Sequence, residues 1–307
     1  MAQLIKTQAT QVARQQKPID MLKAVIDAPT VQAQFKNALG DHKDAFVASL
    51  IDLFTGDKSL QSCKPQLVIA EALRAATLRL PLNKALGFSY IVVYNNSVKN
   101  EDGSWTKNPT PTFIPGYKGY IQLAMRTGQY RTINADYVYE GELEMVNKLS
   151  GEISFNGDKK SDKIIGYFCH IELLNGFSKT LYMTLQDMAA YAKRYSPSVG
   201  KNTTVEDLIK KANDGLVSKK VGWEGNFNDM ALKTVIRRLL SKYGYLSVEM
   251  QNAISKDVDL DNSEADRNDM ISEDANKKVI DIDSVEVDTE TGEIKNADKA
   301  DEDMPNY

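Results

Sequence analysis

Few residues in this 307-residue chain have the types and spacing that covalent chemistry requires. There are two histidines. His42 follows Asp41 at a helix start, and His170 lies in the alternating run GYFCHIELL. Neither belongs to HExxH or another ligand spacing, so both read as structural. Cys63 and Cys169 form neither a metal-ligand spacing nor a disulfide framework. Glu142 and Glu144 stand in a polar, strand-rich stretch and read as solvent-face residues; a nuclease needs a tighter carboxylate cluster. The patterns GxxxxGK[ST], GxSxG and GxGxxG are absent, and GYKG at 116–119 has the wrong spacing for a phosphate loop. The sequence argues against an ATPase and, less strongly, against a hydrolase.

Cations beside aromatics carry more information. In the segment 117–128, helical spacing puts Tyr117, Tyr120, Ile121 and Ala124 on one side and Lys118, Gln122 and Arg126 on the other. Gly116 and Gly119 at its start leave backbone N–H groups open to an anion. In 226–243, Phe227, Ala231, Val235, Ile236, Leu239 and Tyr243 make an apolar face, while Lys233, Arg237, Arg238 and Ser241 make a cationic stripe. Cations one turn apart lie about 5.4 Å from each other, a spacing of the same order as phosphates on an extended strand. Lys201, Lys210, Lys211, Lys219 and Lys220 crowd the segment just before this helix. Trp223 follows that cluster, and Trp105 stands near Lys107 in a polar loop; an aromatic beside cations suits single-strand stacking. The plainer readings stay open: a wet helix face for the stripe, a buried staple for Trp223, cross-strand packing for Trp105.

Net charge divides the chain in the same sense. The overall value is −4, but residues 251–307 hold 18 Asp+Glu against 6 Lys+Arg, a net of −12, which leaves +8 for residues 1–250. A basic body with an acidic tail suggests a polyanion partner for the body. No stretch approaches the roughly 18 uncharged apolar residues of a membrane span, and the first twenty residues lack a signal-peptide core. The expectation is a soluble, intracellular protein without membrane contact.

The elements that would position these residues follow from periodicity. Residues 1–17 are Gln- and Thr-rich and read as a flexible N-terminus. Met21 to Ile26, Pro29 to Gly40, Phe46 to Gly56 and Pro65 to about 80 read as helices, giving a helical lobe over 18–80. FSYIVVY (88–94) and TPTFIPG (110–116) read as strands joined by a polar hairpin loop, and Gly128 as the cap of the 117–128 helix. Strand-like runs follow at 130–139, 143–148, 163–174 and 179–185, then helices through Met188 to Tyr195 and from Asn226 to Tyr243. The segment 201–220 reads as Lys-rich connection. The acidic 251–307 reads as a largely disordered tail with a short ordered run at VIDIDSVEV. The fold class expected is α+β: a helical lobe, then a largely antiparallel sheet packed with helices in a core over 85–250, and no repeat of solenoid length.

Two segments, GYKGYIQLAMRTGQY (116–130) and NDMALKTVIRRLL (228–240), resemble the RecT family of phage and prophage single-strand annealing recombinases. ALGFSYIVVY (85–94) looks like a third family block, and the resemblance runs from about Val68 to Val248 in the same order. The family often has arginine where this chain has Lys118, and a basic residue where it has Met125. The resemblance implies a protein that needs no ATP, coats single-stranded DNA and anneals it to a complement, with no covalent catalysis. It further implies a ring or helical homo-oligomer, a sheet-and-helix groove, a 5′→3′ exonuclease partner and action in the cytoplasm of a bacterial host. On that footing Lys118, Arg126, Lys233, Arg237 and Arg238 are expected to neutralise phosphates while base edges face outward. Lys107, Tyr117, Gln122, the lysine cluster from Lys201 to Lys220 and Trp223 complete the expected DNA-binding set. No cofactor is expected; a role for Mg²⁺ is left open. The tail would shield the groove or dock a host single-strand binding protein. The competing readings are a phage assembly protein without annealing activity and, behind it, a nuclease; single-stranded RNA remains an alternative ligand.

Overall fold

The computed structural model describes residues 17–99, 104–147, 149–196, 198–215, 217, 218, 220 and 222–261. The N-terminal stretch 1–16, the tail from 262 onward with its VIDIDSVEV run, and Lys219 lie outside them.

Proline starts three of the helices in the first lobe. Pro18, Pro29 and Pro65 each open the first turn of α1 (Pro18–Ile26), α2 (Pro29–Leu39) and α5 (Pro65–Thr77), where the missing N–H costs nothing. Gly40 stops α2 with φ +56°, a conformation that residues with a Cβ rarely adopt. In α3 (Lys43–Gly56) the fourfold spacing of Phe46, Leu50 and Phe54 buries one face, and Phe35 of α2 meets Phe46 at 5.9 Å between ring centroids. A single turn, α4 (Lys58–Gln61), is capped by Asp57, which accepts from the Ser59 N–H at 2.9 Å. These helices close on α5, whose Val68, Ile69, Ala72, Ala75 and Ala76 are buried.

Strands β1 (Ser89–Lys99) and β2 (Trp105–Pro115) form an antiparallel ribbon whose register runs from Ser89↔Pro115 to Lys99↔Trp105. The polar stretch expected as a hairpin loop is therefore mostly ladder. Its sequence lacks apolar alternation because the outer half of β2 packs on nothing: residues 105–108 are exposed, whereas Phe113 near the root is buried. Glu71 of α5 anchors that root, accepting from the Phe113 N–H at 2.9 Å and from Arg74.

Helix α6 (Tyr117–Arg126) follows, ending before Gly128 at φ +66°. Then come β3 (Tyr130–Tyr139), the short β4 (Met145–Val146) and β5 (Ile153–Ser154) pair, β6 (Ile164–Leu173) and β7 (Ser178–Thr184). Strands β3, β6 and β7 make an antiparallel sheet in the order β3-β6-β7, so the expected sheet is three separate antiparallel units. Helix α7 (Leu185–Tyr195) is capped by Thr184, which accepts from the Asp187 N–H.

Besides the single turn α4, two helices depart from the sequence reading. Within the Lys-rich 201–220, α8 (Val205–Asp214) forms on a capping box: Thr204 and Asp207 each accept from the other's backbone N–H. It buries only Leu208 and Ala212, too few positions to reveal a period. After α9 (Phe227–Tyr243), α10 (Val248–Asp261) continues where disorder was expected, because Met250, Ala253 and Ile254 are buried against the body.

Helix α9 is the axis of this half of the protein. It lies against α6, α8 and all three strands of the larger sheet. Every residue from Ala231 to Arg237 is buried. Of the cationic stripe read from its sequence, Lys233 and Arg237 are sealed, while Arg238 and Ser241 are half-buried.

Candidate nucleic-acid interface

The N-terminal ends of α6 and α9 converge beside β1 and β3. Gly116 and Gly119 let the head of α6 pack against the backbone just before β1. A Cβ on Gly116 would stand 2.2 Å from the Gly87 carbonyl oxygen, and one on Gly119 2.2 Å from that of Phe88. The Gly116 N–H donates to Phe88 O at 2.9 Å. Both glycines are buried, so they serve close packing and not the open anion cradle expected of them.

Tyr117 and Lys118 stand at the resulting corner. Lys118 is exposed, with its ammonium 5.8 Å from the centre of the Tyr117 ring. Asn226 caps α9, accepting from the Asp229 N–H at 3.1 Å, and its amide donates to the Asp229 carboxylate at 2.8 Å. Burial lifts the Asp229 carboxyl above its ordinary range, against the Lys118 charge and the Asn226 hydrogen bond, which lower it. Burial and then the Asp229 charge raise the phenols of Tyr90 and Tyr117 and push Tyr137 up to about 12. The three phenols therefore stay protonated at physiological pH. Behind them Tyr167 donates to Asn228 at 2.7 Å and meets Tyr137 edge-on at 5.8 Å. The corner thus offers one exposed cation, phenol donors and partly covered ring faces. Tyr90, Tyr137 and Asp229 were missed in the sequence; the recurrence of tyrosine in 130–139 was the available signal.

The remaining predicted residues scatter. Gln122 is half-buried one turn beyond Lys118. Arg126 is committed to the fold: its guanidinium donates to Leu78 O at 2.6 Å and Arg79 O at 2.8 Å, satisfying carbonyls at the end of α5. Lys107 is exposed on the outer ribbon, two pairs from Trp105, which is 68% exposed. Lys201 is exposed in a turn, and Lys210 is exposed and Lys211 half-buried on α8. Lys220 pairs with Glu224, whose carboxyl is held at about 2 by that ammonium, the Gly200 N–H and the Thr203 hydroxyl.

Burial overturns the exposed stripe on α9. Lys233 is 5% exposed and Arg237 4%, and Arg237 Nη2 donates to Tyr191 Oη at 2.9 Å. Arg238 is half-buried, its guanidinium 5.5 Å from the Tyr191 ring centre. Trp223 is buried as a staple, 5.1 Å from the Phe227 ring and 6.4 Å from Tyr191. The sequence also missed the surface step beside it, where Arg194 lies 4.9 Å over Tyr195.

Groups weighed for covalent chemistry have structural partners. His170 Nδ1 lies 2.8 Å from Thr180 Oγ1. Glu142 accepts from the Tyr139 N–H and Glu144 from Ser154. Burial pushes the Cys169 thiol up to about 12, far from reactive. Among the described residues no His, Cys, Asp or Glu group could hold a metal ion, and no helix is long and apolar enough to cross a membrane.

Sequence comparison supplies the class. A profile of the RecT family matches residues 44–278, most of the chain, and the chain belongs to that family. It is thereby a DNA recombination and strand-annealing protein in general terms. The match extends beyond the 68–248 blocks to take in most of α3, α4, α5 and α10. Two relatives are similar over nearly full length. The uncharacterized protein YqaK of Bacillus subtilis (strain 168) is 36% identical over 292 residues, covering 92% of this chain and 90% of the relative. Protein RecT of Escherichia coli (strain K12) is 29% identical over 265 residues, covering 83% and 87%.

Proposed function

We propose that this protein binds single-stranded DNA without ATP and anneals it to a complementary strand, as a homo-oligomeric ring or filament in a bacterial cytoplasm. It carries out no covalent step and works beside a 5′→3′ exonuclease that exposes the strand. The observation that supports this most directly is the corner at the head of α6. There an exposed ammonium, Lys118, stands among phenols that stay protonated and next to a ring face. Such a corner can hold a phosphate and a neighbouring base without selecting a sequence, which a general annealer requires. Phosphate neutralisation also lowers the repulsion between two incoming strands. Exposed Lys107, Lys201 and Lys210 and half-buried Arg238 are candidates to extend the contact along the surface.

The test is annealing of two dye-labelled complementary oligonucleotides by the full chain, without nucleotide, in matched EDTA and Mg²⁺ arms across a salt titration. Fast protein-dependent annealing without ATP is expected, weakening with salt at a slope of roughly −0.7 per phosphate held. Strand binding without annealing reduces the reading to a coating protein. Absence of single-strand binding in every arm removes it and favours a phage assembly role.

A further inference from the structure

The opposite end of α9 carries an aromatic and cationic patch that the corner at Lys118 does not use. Tyr243, the last residue of the helix, and Phe177, in the β6–β7 turn, are 38% and 40% exposed. Their ring centroids are 6.3 Å apart at an interplanar angle of 31°. Two ammonium groups flank the Tyr243 ring, Lys179 at 5.7 Å and Lys242 at 5.9 Å from its centre. Lys179 runs along the backbone of Gly151: a Cβ there would fall 2.1 Å from its Nζ.

The charges recorded against the Tyr243 ring are both cationic. The turn Leu174–Phe177 contains no carboxylate, and the nearest acid on β6, Glu172, is neutralised by Arg131 at 2.8 Å. Leu174 and Tyr245 enlarge the apolar surface at 57% and 55% exposure, and Tyr245 O accepts from Tyr130 at 3.2 Å. Large rings left in water cost free energy unless something covers them. Rings flanked by ammonium groups match a ligand that alternates flat apolar faces with negative charge, which describes an unpaired polynucleotide strand.

We infer that Phe177 and Tyr243 form a base-stacking platform for single-stranded DNA, with Lys179 and Lys242 on its phosphates, as a second contact distinct from the Lys118 corner. The inference rests on the single-strand reading above and adds a location to it. From Asp229 to Tyr243 the helix rises about 21 Å, so a strand that spans this distance over the surface reaches both ends and leaves several nucleotides between them unheld. Bases stacked at the far end are kept from collapsing onto their neighbours, while those in between remain free to pair.

The experiment uses the full chain and two dye-labelled probes, an oligothymidylate and an abasic strand of equal length, read by fluorescence anisotropy. Replacing both rings (Phe177→Ala with Tyr243→Ala) should weaken oligothymidylate binding by roughly tenfold or more, since stacking acts base by base. Binding of the abasic strand should change less than about threefold, because its phosphates still meet the lysines. Tyr243→Phe, which keeps the ring, should bind as the unaltered protein does, and circular dichroism verifies the fold of each variant. The inference is overturned if the double variant binds oligothymidylate normally while Lys118→Ala weakens it; the single-strand reading then survives. Normal binding with a fall in sedimenting mass overturns it too and gives the patch to a second copy of the chain. If the unaltered protein binds neither probe, both readings fall together.

Discussion

Helices α6 and α9 both carry cations, and burial divides the one at the head of α6 from those in the middle of α9. Lys118 at the head of α6 is exposed, while Lys233 and Arg237 in the middle of α9 are nearly sealed. Their local sequences give similar patterns. What differs is the number of neighbours: α9 is enclosed by the sheet, α6 and α8, so its polar side becomes a second buried side. A cation in the enclosed middle of a helix belongs to the fold, and an exposed one near a helix end with no backbone partner, as Lys118 is, is available to a ligand.

The contrast breaks first at Arg237. Arg237→Ala removes a buried charged donor from Tyr191 and should lower unfolding stability by about 2–3 kcal/mol, read from the urea midpoint. An unchanged midpoint with weakened DNA binding would return Arg237 to the ligand side. Gly119→Ala tests the packing of α6 itself. With its Cβ 2.2 Å from Phe88 O, the backbone must shift, at a cost of about 1–3 kcal/mol, seen as a lowered thermal midpoint.

Glu224→Gln sharpens the comparison for Lys220, a lysine spent on an ion pair. The Glu224 carboxyl lies at about 2, below its ordinary 4.5. Its stabilising contribution is therefore complete above 4.5 and is lost as pH falls towards 2. The variant should be destabilised by about 1–2 kcal/mol near neutrality and by much less at the acid end, measured by denaturant midpoints across pH. A pH-independent difference would show that the carboxylate charge contributes nothing.

The smallest effect belongs to the exposed cation. Lys118→Ala should leave the urea midpoint unchanged and reduce the slope of log affinity against log salt by about 0.7 for single-stranded DNA. Asp229→Asn should act in the opposite direction, tightening binding a few-fold by removing the charge that opposes phosphate. Equal slopes for Lys118→Ala and the unaltered protein would take that corner out of the interface.

How much of this was legible depended on whether the cause was local. Pro29 and Pro65 opening helices, and Gly40 and Gly128 ending them, are properties of single residues, and the structure agrees with each. The cap pair Thr204 and Asp207 is equally local, but the helix behind it buries only Leu208 and Ala212, so its period is faint among the lysines. The outer ribbon was illegible for a different reason. From Asn95↔Pro109 outward the β2 residues 105–108 are exposed, so no buried face imposes a side-chain pattern on that strand. The interface divided along the same line. Lys118 beside Tyr117 is a neighbour relation within one segment, whereas Tyr90, Tyr137 and Asp229 reach it from three distant elements. The burial of Lys233 follows from what surrounds a helix, which its own seventeen residues do not state.

Helix α10 sets a schedule as well as a surface. The Tyr120 hydroxyl donates to the carbonyl of Ala253, 133 residues later, and Met250 and Ala253 are buried in the core. On a ribosome moving at roughly 5–20 residues per second, that stretch takes about 7–27 seconds to emerge. For that interval α6 and the first lobe wait with an open apolar wall. A nascent chain stalled before residue 250 leaves that wall uncovered.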